Sequence, residues 1–162
     1  MPTVRRALPE DALGIHEAHM RSIREVCCKD HSPQEIQGWG HRPYREDQRV
    51  NAIKNQFVWV VDNSGKIEGY GHLAIITENG RVRGHIMGLY LVPEAKGQGF
   101  GVTIAKEMIA ETRKQNAFEI NLESTLTAHS FYQKMGFADA GELATIELGG
   151  SKIRYIPMKL KL

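Results

Sequence analysis

Cysteine is nearly absent from this chain. Its two copies, Cys27 and Cys28, are adjacent, so neither a disulfide framework nor a CxxC metal knuckle can be built from them. A reducing, cytoplasmic compartment is the expectation. No uninterrupted apolar run reaches the ~20 residues that a bilayer-spanning helix needs. Met1 to Arg6 lead into Ala7-Leu8-Pro9-Glu10 rather than an apolar stretch, so no leader peptide is visible. Excess charge is missing too: 21 Lys and Arg face 19 Asp and Glu, a net +2, with no basic run. Nothing in that balance points to nucleic acid or a membrane surface as a partner. Repeats, low-complexity stretches and linkers are also lacking. Residues 1–162 therefore read as a single domain, long enough to bury its own core.

What is present is a change of hydrophobic period. Thr3–Leu8 reads as a short strand ended by Pro9. Leu13, Ile15, His16, Met20, Ile23 and Cys27 then recur at helical spacing through Cys28. Ser32-Pro33-Gln34-Glu35 has the cap, the first-turn proline and the acid three residues on that open a helix, here a short one stopping near Gly38-Trp39-Gly40. Pro43 to Asn55 looks helical and mostly polar. From Gln56 the pattern turns to strands: Gln56–Asp62, then Lys66–Ile76 and Arg81–Val92, joined through Asn79-Gly80, a hairpin signal. A helix over Gln98–Gln115, a strand over Ala117–Glu123, a short helix over Thr127–Met135 and strands over Phe137–Leu148 and Ile153–Leu160 complete an α+β chain.

The informative segment is Leu89-Tyr90-Leu91-Val92-Pro93-Glu94-Ala95-Lys96-Gly97-Gln98-Gly99-Phe100-Gly101. Here a strand runs into alternating glycines and then a helix. Glycines let a backbone approach a bound group closely. The first amides of a helix lack internal partners and carry its positive dipole end. Together they make a site for a diphosphate, to which Lys96 adds charge. A dinucleotide-binding loop shares this logic, and Glu123 sits near the offset of a ribose-binding acid. Yet the pattern closes one residue early at Gly101, and too little chain follows for a doubly wound sheet.

Two segments resemble the GNAT superfamily of N-acetyltransferases. Val92-Pro93-Glu94-Ala95-Lys96-Gly97-Gln98-Gly99-Phe100-Gly101 is similar to its acetyl-coenzyme A loop, with Lys96 where Gln or Arg is usual. Ser124 to Phe137 is similar to its second signature, a helix ending in FYxKxGF. Ser22-Ile23-Arg24-Glu25 through Ser32-Pro33 and Trp39 also resembles a bacterial small-molecule subgroup. The resemblance implies a mixed, mainly antiparallel sheet of six to seven strands flanked by four or five helices. It implies acetyl-coenzyme A as co-substrate and a small-molecule or peptide amine as acceptor. It brings no metal, and many relatives form homodimers. Leu91 and Val92 are then expected to hydrogen-bond the pantetheine arm, one of their N–H groups polarising the thioester carbonyl. Lys96, Gly97, Gln98, Gly99, Phe100 and Gly101 hold the diphosphate. Thr127, where Asn is common, and Ser130 lie near the pantetheine, and Tyr132 protonates the departing sulfur.

Acyl transfer to an amine needs a neutral amine, a stabilised oxyanion and a protonated leaving group. An alkylamine with a pKa near ~10.4 costs about 4–5 kcal/mol to deprotonate at neutral pH. If Asn79-Gly80 forms a two-residue turn, Ala74 pairs with His85 and His72 with Met87, which puts both histidines on one sheet face; a bulge in this strand, common in the family it resembles, would change the facing. Either can relay a proton. The resemblance favours His85 over His72, with Glu68 and Tyr70 in reserve. His16 and His19, three apart on the first helix, read as surface or core histidines, since no third metal ligand is spaced to join them. Two competing functions stay open: a non-catalytic coenzyme A-binding sensor, suggested by the departures at Lys96 and Thr127, and a dinucleotide-binding module.

Overall fold

The computed structural model describes residues 1–162. In chain order its elements are β1 (Thr3–Arg6), α1 (Ala12–Glu25), α2 (Pro33–Trp39), α3 (Glu46–Asn55), β2 (Phe57–Asn63), β3 (Lys66–Glu78), β4 (Arg81–Leu91), α4 (Phe100–Lys114), β5 (Glu119–Ser124), α5 (His129–Lys134), β6 (Ala138–Asp139), β7 (Ala144–Leu148) and β8 (Ser151–Lys161). The strands form one sheet in the order β1-β2-β3-β4-β5-β8-β6, with β7 paired to the first half of β8. Only β4 and β5 run parallel; the other pairs are antiparallel. The α+β class is as expected, and this pairing is not that of a doubly wound dinucleotide-binding sheet. There are eight strands rather than six or seven, because the run over Phe137–Leu148 is two short strands separated by an Ala140–Leu143 segment. Helix ends also fall inside the expected limits: Pro9–Asp11 is a separate 3-10 turn before α1, and α3 begins at Glu46 rather than Pro43.

Strand alternation divides the core. Trp59, Val61, Leu73 and Ile86 point to the side covered by α4, where Ile104 and Met108 are fully buried. Val58, Val60 and Tyr70 point to the side covered by α1. Gly71 lies under α4, where an added Cβ would sit 2.3 Å from Ile104. A third cluster of Met20, Ile23, Cys27, Ile36, Trp39 and Ile153 ties α1 and α2 to β8.

Two irregularities shape the centre of the sheet. The turn at Asn79-Gly80 has positive φ at both residues, the type I′ geometry, and it sets Glu78 opposite Arg81 and Ala74 opposite His85. The expected pairing of His72 with Met87 does not hold. A bulge makes Met87 an extra residue, so His72 faces Gly88. His72 and His85 nevertheless share the α1 face, since His72 is two residues from Ala74. The second irregularity is that β4–β5 pairing ends at Ile86–Leu122. Beyond that point β4 continues to Leu91 and β5 to Ser124 without pairing to each other.

Candidate active site

The glycine loop is built to receive an anion. Gly97 and Gly99 have φ of 77° and 86°, and an added Cβ at either meets nothing within 4 Å. Only glycine holds that backbone without strain. The amides from Gly97 to Val102 donate to no atom of the chain, and the first amide bond at this end is Thr103 N–H to the Gly99 carbonyl at 3.0 Å. Phe100 and Gly101 open α4, so its positive end faces outward here. The loop is anchored from behind. Arg21 of α1 donates to both Glu94 carboxylate oxygens at 2.8 and 3.1 Å, and Gln98 Nε2 donates to the Glu94 carbonyl at 2.8 Å.

A slot of about 140 Å³ starts at this loop and runs along the open edge of β4. Its walls include Lys96, Leu91, Cys27, Thr127, Phe131 and Tyr132. Val92 is not free to serve a ligand through its N–H, which donates to the Glu68 carbonyl at 2.9 Å. This corrects the expectation that either residue could do so. Amides alternate in direction along a strand, so the Leu91 N–H faces the other edge, where β5 has diverged. Thr127 Oγ is buried with no hydrogen-bond partner. Ser130, by contrast, is exposed on α5 and does not line the slot.

Tyr132 is 4% exposed and lines both the slot and the opening between β4 and β5. Burial, and secondarily Tyr70, push its phenol well above the ordinary tyrosine range, so the hydroxyl keeps its proton. Burial likewise raises the Cys27 thiol to about 12, against smaller opposite pulls from Thr127 and Lys96. Burial therefore keeps the Cys27 thiol protonated despite its place on the wall.

On the α1 face, His85 lines a cavity of about 290 Å³ together with Tyr90, Glu123 and Thr125. Its Nδ1 meets Asn121 Oδ1. Arg83 donates to that same oxygen at 3.2 Å, which identifies it as the acceptor, because a guanidinium only donates. His85 therefore donates from Nδ1 to Asn121, and Nε2 is the ring nitrogen left to exchange a proton with a ligand. His72 lines an adjoining cleft of about 510 Å³ and bonds to Gln56 Oε1. Burial, then the charges of Arg49 and His85, lower its pKa to about 4. Of the reserves, Tyr70 lines this cleft. Glu68 is buried beside Asn63 and lines neither acceptor cavity. Between His16 and His19 sits a guanidinium: Arg49 Nη2 lies 3.3 and 3.1 Å from their Nδ1 atoms.

Sequence reasoning missed Tyr90. It lines the slot, the opening and the His85 cavity together, and burial holds its phenol far above the normal range. Its only sequence signal was its place one residue before Leu91. The segment resembling the bacterial subgroup lends Ser22 and Cys27 to the slot and Trp39 to the His85 cavity, and it also serves as scaffold. Glu35 Oε1 accepts from the Ser32 N–H at 2.8 Å and from Arg154 Nη2 at 2.7 Å. Its Oε2 accepts from the Arg154 N–H at 2.9 Å and from His31 Nδ1 at 3.0 Å. His31 Nε2 in turn accepts from the Leu126 N–H at 3.1 Å. One buried carboxylate thus fastens α2 to β8 and, through His31, to the loop that carries Thr127.

A glycine turn with free amides, an unpaired strand edge and a protonated tyrosine at the sheet opening thus lie along one slot. The family profile described as "Acetyltransferase (GNAT) domain" matches residues 27–162. The chain belongs to this GNAT family, the class of acetyl-CoA-dependent N-acetyltransferases. Among curated relatives, glucosamine 6-phosphate N-acetyltransferase of Trypanosoma brucei brucei is 30% identical over 77 residues, 46% of this chain and 52% of that protein. The match thus spans about half of the relative's length. Among solved structures, a GCN5-related N-acetyltransferase from Rhodopseudomonas palustris superposes with TM-score 0.84 at 20% identity, covering 100% of this chain and 96% of that one. PaiA N-acetyltransferase from Thermoplasma acidophilum, in complex with coenzyme A, gives 0.75 at 20% identity, covering 100% and 99%. No helix is long and apolar enough to cross a membrane.

Proposed function

We propose that this chain moves an acetyl group from acetyl-coenzyme A to the amine of a small molecule, by direct attack within a ternary complex. The observation that carries this reading is continuity. Tyr90 and Thr125 stand on the walls of the coenzyme slot, of the opening between β4 and β5 and of the His85 cavity alike. The acceptor spaces, about 290 and 510 Å³, suit a small molecule. A reducing compartment suits the free thiols of Cys27 and Cys28.

Acetyl-coenzyme A supplies the activated acyl carbon. The amides of Gly97–Val102 and Lys96 bind its diphosphate. The Leu91 N–H is placed to donate to the thioester oxygen, where charge develops on attack, and fixed backbone donors do this without reorganising. Tyr132 gives its proton to the departing thiolate. His85 Nε2 accepts the amine proton; His72, lowered to about 4, is the weaker base. The protonated Cys27 thiol supports direct attack over an acyl-enzyme.

Initial rates of thiol release, measured while varying acetyl-coenzyme A and amine, test the scheme. Intersecting double-reciprocal lines are expected. Parallel lines indicate a covalent acyl-enzyme and defeat it. His85→Gln should lower kcat/KM at neutral pH about 10²-fold, and an unchanged value removes His85 from the role of base.

A further inference from the structure

The larger acceptor cleft is cationic and has no acid. Arg42, Arg45, Arg49, His16, His19 and His72 line it, and no Asp or Glu does. Arg5, Arg21, Arg83 and Arg154 are each paired with a carboxylate, whereas Arg42 and Arg49 are not. Each is instead held by neutral groups that leave N–H donors over. Arg42 Nε donates to the Trp39 carbonyl at 3.0 Å, which leaves its terminal nitrogens free. Arg49 Nη2 reaches the two imidazoles of α1, and its guanidinium lies 5.7 Å from the Tyr70 ring. Both arginines are half-buried, and burial, with repulsion from Arg49, lowers the Arg42 pKa. An uncompensated pair of desolvated cations is costly unless an anion joins it.

A second observation comes from His19. Its Nδ1 is within 3.1 Å of both Arg49 Nη2 and the Tyr70 hydroxyl. A guanidinium has no lone pair to offer, so Nδ1 accepts and the proton sits on Nε2. That Nε2–H is buried with no acceptor, on a ring 8% exposed that lines both acceptor cavities. The adjoining cavity is lined by Arg42 and Arg154 too, but it also holds one acid, Glu123, beside His85. Glu123 beside His85 suits an amine, and the acid-free cleft of Arg42 and Arg49 suits an anion.

We propose that the acceptor is an amine carrying an anionic oxygen group, carboxylate or phosphate, that seats between Arg42 and Arg49. The proposal rests on the N-acetyltransferase reading, and the test separates the two. Full-length protein is first titrated with coenzyme A by calorimetry. The coenzyme-saturated protein, whose glycine loop is then blocked, is titrated with inorganic phosphate and, separately, acetate. Saturable binding of at least one anion is expected, weakened about tenfold or more in Arg42→Gln and in Arg49→Gln. The anion that binds more tightly identifies the group. If a variant fails to fold, the wild type decides through the Arg42 and Arg49 Nε–H resonances, which should shift saturably with the anion. Coenzyme binding without any anion binding overturns the proposal and leaves the transferase reading standing. Absence of coenzyme binding overturns both.

Discussion

Gly99→Ala separates strain from ligand contact at the coenzyme loop. Gly99 has φ of 86°, and a Cβ added there meets nothing within 4 Å. The folded protein therefore loses only the backbone preference, about 1 kcal/mol for a non-glycine residue in the left-handed region. For a chain of this length that is a fall in Tm of about 2–4 °C. Gly80 is the matched control. Its φ is 74°, its Cβ site is equally open, and it lies at the tip of the β3–β4 hairpin. Gly80→Ala should lower Tm by the same amount and leave coenzyme binding untouched. Gly99→Ala should do more, because the new methyl stands beside the free amides of Gly97–Val102. Losing one charge-assisted bond, worth about 1.5–3 kcal/mol, weakens coenzyme A about ten- to hundredfold. Thermal melts and calorimetric titration of both variants give the two numbers. A Gly99→Ala protein that melts like Gly80→Ala and still binds coenzyme A with wild-type affinity would falsify the assignment of the diphosphate to this loop.

Three further outcomes follow from the geometry. Tyr132→Phe removes the proton donor but keeps the buried ring, so kcat should fall about 10²-fold while KM for acetyl-coenzyme A stays within a few-fold; a wild-type kcat excludes the phenol as acid. Glu35→Ala leaves His31 and the Arg154 N–H without their buried acceptor and should cost about 3 kcal/mol in urea denaturation; an unchanged midpoint contradicts the fastening role. The His72 pKa falls from 6.5 to about 4 on folding. The unfolded chain therefore binds its proton first, and His72 removes stability as pH drops from about 6.5 to about 4, with no effect above that window. In His72→Gln the loss of Tm across that window should be shallower than in wild type, and an identical pH profile excludes a buried neutral His72.

Local pattern was enough for the glycine turn and the elements on either side of it. The alternating glycines, the strand before them and the helix after them lie within one stretch, Leu89–Val102, and their geometry depends on nearest neighbours. The Ser32–Glu35 cap and the Asn79-Gly80 turn were legible for the same reason. The acceptor half was not, because its parts are distant in sequence. Arg42 and Arg49 come from the segment before β2, His19 from α1, and Tyr90 and His85 from β4, and none sits in a recognisable local motif. The bulge at Met87 and the end of β4–β5 pairing at Ile86–Leu122 are properties of strand partners far apart in sequence. Periodicity thus determined which residues form strands, helices and the glycine turn. Only the tertiary structure decided which amide of β4 stays free, which ring nitrogen of His85 is left to exchange a proton and where unpaired arginines converge, because each depends on a partner supplied by another element of the fold.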